Sequence, residues 1–150
     1  MIMLRFLSLA FLSFMTVCAS AQDNISQRFG SYEVFYSTFN SSFISTDVAK
    51  AYGFIRGKNK AFINLAVIKH NLDGTTKNVN ATLKGTWSDL IYTQPLQFKR
   101  IQEQASIYYL SPFEIQHKND IYFTIAIYPE GSSRDFELKF KKRLFVDGED

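Results

Sequence analysis

Hydrophobic and polar residues alternate with a period of two along most of this chain, which is the pattern of β-strands. In residues 31–39, Tyr32, Val34 and Tyr36 share one face, and both faces are rich in residues that favour strands. Residues 61–69 are apolar on both faces, which predicts a central strand. The period returns in five further segments: residues 75–87, 96–103, 106–115, 121–128 and 134–146. Of these, 96–103 and 106–115 are either two strands or one long bent strand.

Turn signals separate these segments, and only one short segment has the pattern of a helix. Asp73-Gly74 is a strong hairpin signal after the second segment. Ser45 can cap a helix that Gly53 ends, which leaves room for one or two turns. The sequence therefore predicts an all-β fold: an antiparallel immunoglobulin-like β-sandwich of about seven strands with one short helical turn. A closed barrel is the alternative. In a sandwich, Trp87 and the phenylalanines would pack between the two sheets.

The N-terminus has the layout of a secretory signal peptide. One positive charge at Arg5 precedes an apolar run over residues 6–17, and Ala19-Ser20-Ala21 is a small-residue cleavage site. The apolar run is too short to span a bilayer core of about 30 Å. Cys18 could instead anchor a lipid, but the bulky Val17 before it disfavours that processing. We predict residues 1–21 as the signal peptide, residues 22–150 as a single β-sandwich domain, and a periplasmic location.

Export would leave a chain without cysteine and with little net charge. Cys18 is the sole cysteine, so the predicted mature chain has neither a disulfide nor a thiolate ligand. Losing Arg5 lowers the formal net charge of +3 for the whole chain by one. That charge is too small to indicate a nucleic-acid partner. The predicted mature chain also has no transmembrane segment.

Several stretches resemble a family of exported gammaproteobacterial proteins known as domain of unknown function 4426. They are Gln27-Arg28-Phe29-Gly30-Ser31-Tyr32-Glu33-Val34, Tyr36-Ser37-Thr38-Phe39-Asn40-Ser41-Ser42-Phe43, Val48-Ala49-Lys50-Ala51-Tyr52-Gly53 and Arg56-Gly57-Lys58-Asn59-Lys60. The resemblance covers the whole predicted mature chain and is most specific in its N-terminal third. It implies a periplasmic, immunoglobulin-like β-sandwich. It implies no activity, and no functional residues can be carried over from the family.

Two turns repeat a His-x-x-Asp pattern that could bind a metal. His70 and Asp73 follow the second predicted strand, and His117 and Asp120 precede the strand over 121–128. Two histidines and two aspartates suit zinc. The two turns share one end of the fold only if residues 96–115 form a single strand. Otherwise each aspartate caps its own turn and each histidine is a solvated loop residue.

The long connection over residues 39–52 and the basic segment after it are the best candidates for binding. Phe43 and Ile44 either anchor the connection to the core or face a partner. Arg56, Lys58 and Lys60 form a basic cluster in a predicted loop, where binding residues concentrate. No serine lies in a Gly-x-Ser-x-Gly motif, and no glycine-rich phosphate loop is present. The sequence indicates no catalytic residue and no cofactor.

The leading functional hypothesis is a non-enzymatic binding or accessory module of the cell envelope. Its partner would be another envelope protein, a peptide or a glycan, recognised through loops or an open sheet edge. The alternative is a small metal-binding protein or a hydrolase that uses the loop His and Asp residues. The sequence does not indicate an oligomeric state.

Signal-peptide cleavage gives the first testable prediction. Protein recovered from the periplasm should have an intact mass that corresponds to residues 22–150, because the small-x-small motif ends at Ala21. N-terminal sequencing should begin at Gln22. A lipidated chain that begins at Cys18 would contradict the prediction.

Overall fold

Ten strands, one helix and one 3₁₀ turn make up the computed structural model, which describes residues 25–148. The strands are β1 (Ile25–Phe29), β2 (Tyr32–Asn40), β3 (Lys60–His70), β4 (Thr76–Asn78), β5 (Ala81–Ser88), β6 (Thr93–Pro95), β7 (Lys99–Glu103), β8 (Ser106–Glu114), β9 (Asn119–Pro129) and β10 (Phe136–Leu144). The 3₁₀ turn Ser41–Phe43 precedes helix α1 (Thr46–Tyr52). No described helix is long and apolar enough to cross a membrane. The predicted signal peptide lies outside the described residues.

The strands form two antiparallel sheets. The first sheet has the order β1-β2-β3-β8-β7, with β4 also paired to β3, and the second has the order β10-β9-β5-β6. Every pairing is antiparallel. The predicted all-β sandwich is thus confirmed, and its two separate sheets rule out one closed barrel. The immunoglobulin-like detail stays a prediction.

Most predicted strands are present, and one is divided. The segments 31–39 and 61–69 correspond to β2 and β3, and β3 is central because β2 and β8 flank it. The segment 96–115 forms two strands, β7 and β8. Residues 75–87 are not one strand: β4 pairs with β3 in the first sheet, whereas β5 pairs with β9 in the second. The chain changes sheets at Val79, whose side chain is buried and whose N–H donates to Val67 O. The hydrophobic pattern did not predict β1 or β6.

The inward-facing side chains of both sheets form one apolar core. The first sheet contributes Val34, Ile63 and Leu65, and the second contributes Phe123 and Ile125, all of which are nearly inaccessible to solvent. Aromatic pairs close the side where β1 approaches β10. Phe29 stacks on Phe136 at 4.8 Å, and Tyr36 lies 4.4 Å from Phe140 between ring centroids. Such contacts fix the two sheets face to face.

Helix α1 packs on the outer face of the first sheet, as a second small cluster. Ser45 caps the helix by accepting a hydrogen bond from Val48 N at 3.3 Å, and Gly53 ends it in the left-handed conformation, as predicted. Ala49 and Ile44 are buried with Phe62. The helix lies at one end of the sandwich, where β2, β5, β8 and β10 end and β3, β6 and β9 begin. We call this end of the sandwich the helix end.

Gly85 provides a test of the packing between β5 and β9. A Cβ at this position would lie 2.9 Å from Ile125 Cγ1, 3.0 Å from Thr124 O and 3.2 Å from Ile125 Cα. Two of these atoms belong to the backbone and cannot move aside, so Gly85→Ala should lower the free energy of unfolding by about 1–3 kcal/mol.

The matched control is Gly57→Ala. Its added Cβ would meet Lys60 Cδ at an ordinary 3.5 Å, so the change in free energy should stay within about 0.5 kcal/mol. Urea denaturation measures both variants. Equal stability of the two would contradict this description of the β5–β9 contact.

Candidate functional site

An open cleft of about 510 Å³ lies between the two sheets at the helix end. Its deepest residues are Phe113 of β8 and Ile121 of β9, both buried, together with the half-buried Trp87 of β5. The Trp87 and Phe113 rings lie 6.0 Å apart and belong to opposite sheets. Trp87 therefore does pack between the sheets, but one side of it lines the cleft. The volume is within the range of small-ligand sites.

Polar side chains border the cleft on both sheets. On the first sheet, Lys60 Nζ and Glu114 Oε1 form an ion pair at 3.0 Å, and Gln116 follows in the connection to β9. On the second sheet, Asp89 and Gln94 lie along the β5–β6 hairpin. The site thus combines an aromatic base with amide, carboxylate and ammonium groups.

Side-chain hydrogen bonds hold the β5–β6 hairpin beside the cleft in one conformation. Asp89 Oδ1 accepts from Tyr92 N at 2.7 Å and from Ile91 N at 3.0 Å. These bonds, the one from Tyr92 foremost, lower the pKa of Asp89 below its ordinary value. Ser88 Oγ accepts from Leu90 N at 3.1 Å. Leu90 has φ of +76°, a conformation that a leucine rarely adopts and that concentrates at functional sites.

The hairpin and its surroundings expose an unusual amount of apolar surface. Leu90, Ile91 and Tyr92 are 75%, 76% and 61% exposed. Ten large hydrophobic side chains are exposed among the described residues, and seven of them lie at the helix end: Phe43, Val48, Ile55, Leu90, Ile91, Tyr92 and Phe145. Contiguous exposed apolar surface is typical of interaction sites, which makes this end the candidate for one.

The five predicted binding residues all lie at this end, in different roles. Phe43 is 81% exposed, whereas Ile44 is buried against Phe62 and anchors the connection to the sheet. Lys60 borders the cleft. Arg56 and Lys58 line a separate shallow depression, where Arg56 donates to the carbonyl oxygens of two 3₁₀-turn residues and to a helix hydroxyl. Arg56 therefore braces the loop.

The predicted metal-binding residues do not come together. His70 ends β3, whereas Lys60 begins it and pairs with Glu114, which precedes the turn of His117. The ten residue-to-residue steps along β3 separate the two turns by about 30 Å. Because residues 96–115 form two strands, the two His-x-x-Asp turns lie at opposite ends of the sandwich. No group of three or more His, Cys, Asp or Glu side chains that could hold a metal occurs within residues 25–148.

Both aspartates of these turns have partners within the protein, Asp73 in its own turn and Asp120 on β10. Asp73 Oδ1 accepts from Thr75 N at 2.9 Å and from Thr75 Oγ1 at 2.6 Å, and these bonds lower its pKa. Asp120 accepts from Arg143 Nε at 2.7 Å and lies 3.2 Å from Lys141 Nζ, and Arg143 is the main cause of its lowered pKa. The ring of His117 lies edge-on to Phe145, with centroids 5.9 Å apart.

His70 belongs to a polar cluster that sequence reasoning missed. Glu33 Oε2 lies 2.8 Å from His70 Nε2, and Glu33 Oε1 accepts from Ser26 Oγ at 2.6 Å. The Ser26 bond, followed by that of His70, lowers the pKa of Glu33. The serine donates to the carboxylate and not to the histidine, so these three side chains do not have the serine–histidine–carboxylate order of a catalytic triad. Only the pairing of β1, β2 and β3 brings these residues together, so spacing along the chain gave no signal for them.

Apart from Lys60, the residues of the cleft were also not predicted as binding residues. Gln94 lies in the unpredicted strand β6, and Asp89 and Gln116 come from different sheets. The sequence does contain one signal for this site. Asp89 and Tyr92 flank two aliphatic residues, Leu90 and Ile91, directly after the strand that contains the only tryptophan. An apolar pair in a turn is unusual for a soluble domain.

The model of the family named domain of unknown function 4426 (DUF4426) matches residues 26–147. This chain belongs to the DUF4426 family. A crystal structure of a DUF4426 family protein from Pseudomonas aeruginosa PAO1 is similar to it at 35% identity, with a TM-score of 0.71, over 81% of this chain and 94% of the other. No curated protein sequence matches the chain.

The DUF4426 chain also shares its fold with FetP from uropathogenic Escherichia coli. One FetP structure, of protein expressed in the periplasm of E. coli, has a TM-score of 0.60 at 10% identity, over 81% of this chain and 93% of FetP. A copper-bound FetP variant has a TM-score of 0.59 at 8% identity, over 81% and 89%. At these identities the similarity demonstrates the fold alone.

Strain at Leu90 gives a prediction for the hairpin. Glycine adopts a positive φ without steric cost, so Leu90→Gly removes about 1 kcal/mol of backbone strain. This gain offsets the stability that is lost because glycine makes the unfolded chain more flexible. Leu72 is even more exposed than Leu90, in the β3–β4 turn, but has no positive φ. We expect Leu90→Gly to be about 1 kcal/mol more stable than Leu72→Gly in urea denaturation. The reverse order would show that the left-handed conformation at Leu90 carries no strain.

Proposed function

We propose that this DUF4426 protein is an exported, non-enzymatic recognition module of the cell envelope that binds its ligand in the helix-end cleft. The observation that carries the proposal is the cleft itself, with its aromatic base, its polar borders and a rigid apolar hairpin beside it. A preorganised site of this kind binds with little loss of conformational entropy. The strain held at Leu90 supports the same conclusion, since selection for stability alone would favour glycine there.

The chemistry of the cleft favours binding over catalysis. Hydrolysis with two carboxylates requires one of them to act as an acid, with a raised pKa. The pKa of Asp89 is instead lowered by backbone N–H groups, and Glu114 is paired with Lys60 at 3.0 Å. Neither histidine lines the cleft.

Metal binding is the alternative hypothesis, and the copper-bound FetP variant makes it worth testing against the residues. Copper(I) favours soft thiolate and thioether ligands. All three methionines and the cysteine lie within residues 1–18, in the predicted signal peptide. His70 is paired with Glu33, and His117 lies at the other end of β3. The described residues therefore do not fit a copper site, and we assign no metal chemistry to them. Nor does any observation favour a hydrolase that uses these loops.

The proposal that the protein is exported is supported by the pattern of its N-terminal residues and by a protein of the same fold. The charge at Arg5, the apolar run and the small residues around Ser20 support secretion. The FetP protein that shares this fold was expressed in the periplasm.

Photo-crosslinking in intact cells tests the recognition site. Replacing Tyr92 with p-benzoylphenylalanine places a crosslinker at the cleft while keeping an aromatic side chain. The matched control is Tyr128, an exposed tyrosine at the opposite end of the sandwich. We expect a discrete crosslinked product from position 92 and none from position 128.

The product should also depend on the cleft. Gln94→Ala combined with Gln116→Ala removes one exposed amide from each border, and it should reduce the product at position 92 without changing thermal stability. Equal products at both positions, or a product that is indifferent to the double substitution, would contradict the proposal.

A further inference from the structure

We infer that the ligand of the helix-end cleft is a neutral oligosaccharide. The inference rests on the proposed function and adds the chemical class of the ligand. It depends on three features of the cleft: its aromatic base, its planar hydrogen-bonding groups and its charge.

The side chains of the cleft match the two kinds of surface on a sugar ring. A pyranose ring has flat apolar C–H faces surrounded by hydroxyl groups. Trp87 and Tyr92 offer aromatic faces for the first kind of surface. The amides of Gln94 and Gln116 both donate and accept hydrogen bonds, and so can bind hydroxyl groups that do the same.

The charges around the cleft select against an acidic sugar. Lys60 and Glu114 neutralise each other in their ion pair, which leaves the carboxylate of Asp89 as the net charge of the lining. Backbone hydrogen bonds hold Asp89 in its ionised form by lowering its pKa. A uronate or phosphorylated sugar would meet like charge there, whereas a neutral sugar would find acceptors for its hydroxyl groups.

A peptide added as an extra strand fits this site less well. The strand that borders the cleft, β6, has only three residues. One of them, Pro95, has no N–H to donate to an incoming backbone. A peptide needs several such main-chain bonds to gain affinity at a sheet edge.

The sequence contains a single tryptophan, so the fluorescence of Trp87 reports on this cleft alone. Purified mature protein is titrated with chitotetraose and with maltotetraose, up to about 10 mM, a range that covers weak binding. We expect a saturable change in Trp87 emission with at least one of them. Digalacturonate, an acidic sugar, should produce none.

Two variants, each with two substitutions to alanine, test whether the fluorescence signal comes from binding in the cleft. Gln94→Ala with Gln116→Ala should weaken binding of the active sugar at least about tenfold, because each lost amide removes hydrogen bonds. Thr82→Ala with Lys84→Ala, at exposed positions on β5, should leave it unchanged. All four positions are exposed, so both variants should keep the wild-type melting temperature.

Three results would overturn the inference: no saturable signal with either neutral sugar, a stronger signal with digalacturonate, or equal binding by both double variants. Its failure can be separated from failure of the proposed function. If position 92 still crosslinks to a protein while no sugar changes Trp87 emission, the cleft recognises a protein and only the saccharide assignment falls. If neither position 92 nor Trp87 responds, both fall.

Discussion

The packing of one sheet against the other through a single apolar layer is the interaction on which the rest of this structure depends. With its sole cysteine in the predicted signal peptide, the mature chain would have no disulfide to hold the sheets together. Burial of residues such as Ile63 and Phe123 must supply the stability instead. Aromatic pairs that β1 and β2 make with β10 close one side of this layer. The chain crosses between the sheets after β4, after β6 and after β8.

The candidate site lies where this apolar layer opens to solvent at the helix end. There the rings of Trp87 and Phe113 face each other from opposite sheets, and polar residues border the opening. The same end holds most of the exposed apolar side chains of the described chain. Side-chain hydrogen bonds from Asp89 and Ser88 keep the adjoining hairpin rigid. The scaffold is stabilised by its interior, whereas the loops at one end carry the residues of the candidate site.

The similarity to FetP illustrates how far such a scaffold can diverge. The two proteins share a fold at 10% identity, yet the described residues here include no cluster that could hold a metal. Function depends on the side chains placed at particular loops, not on the sandwich itself. A relative at 35% identity from Pseudomonas aeruginosa places this chain in a family. The residues that line the cleft are the ones to compare among members of that family.

The sequence by itself determined the strand-rich fold, the central strand over 61–69 and the helix between Ser45 and Gly53, because strand periodicity and helix caps are local properties. It did not determine that residues 75–87 divide between two sheets, since the alternation of Val79, Ala81 and Leu83 continues without a break across the point of division. It also did not determine that Glu33 meets His70 or that Trp87 and Gln116 line one cleft. Those arrangements depend on strand pairing and sheet packing between residues far apart in the chain. Such contacts leave no periodic signal in one sequence, so only the tertiary structure decided them.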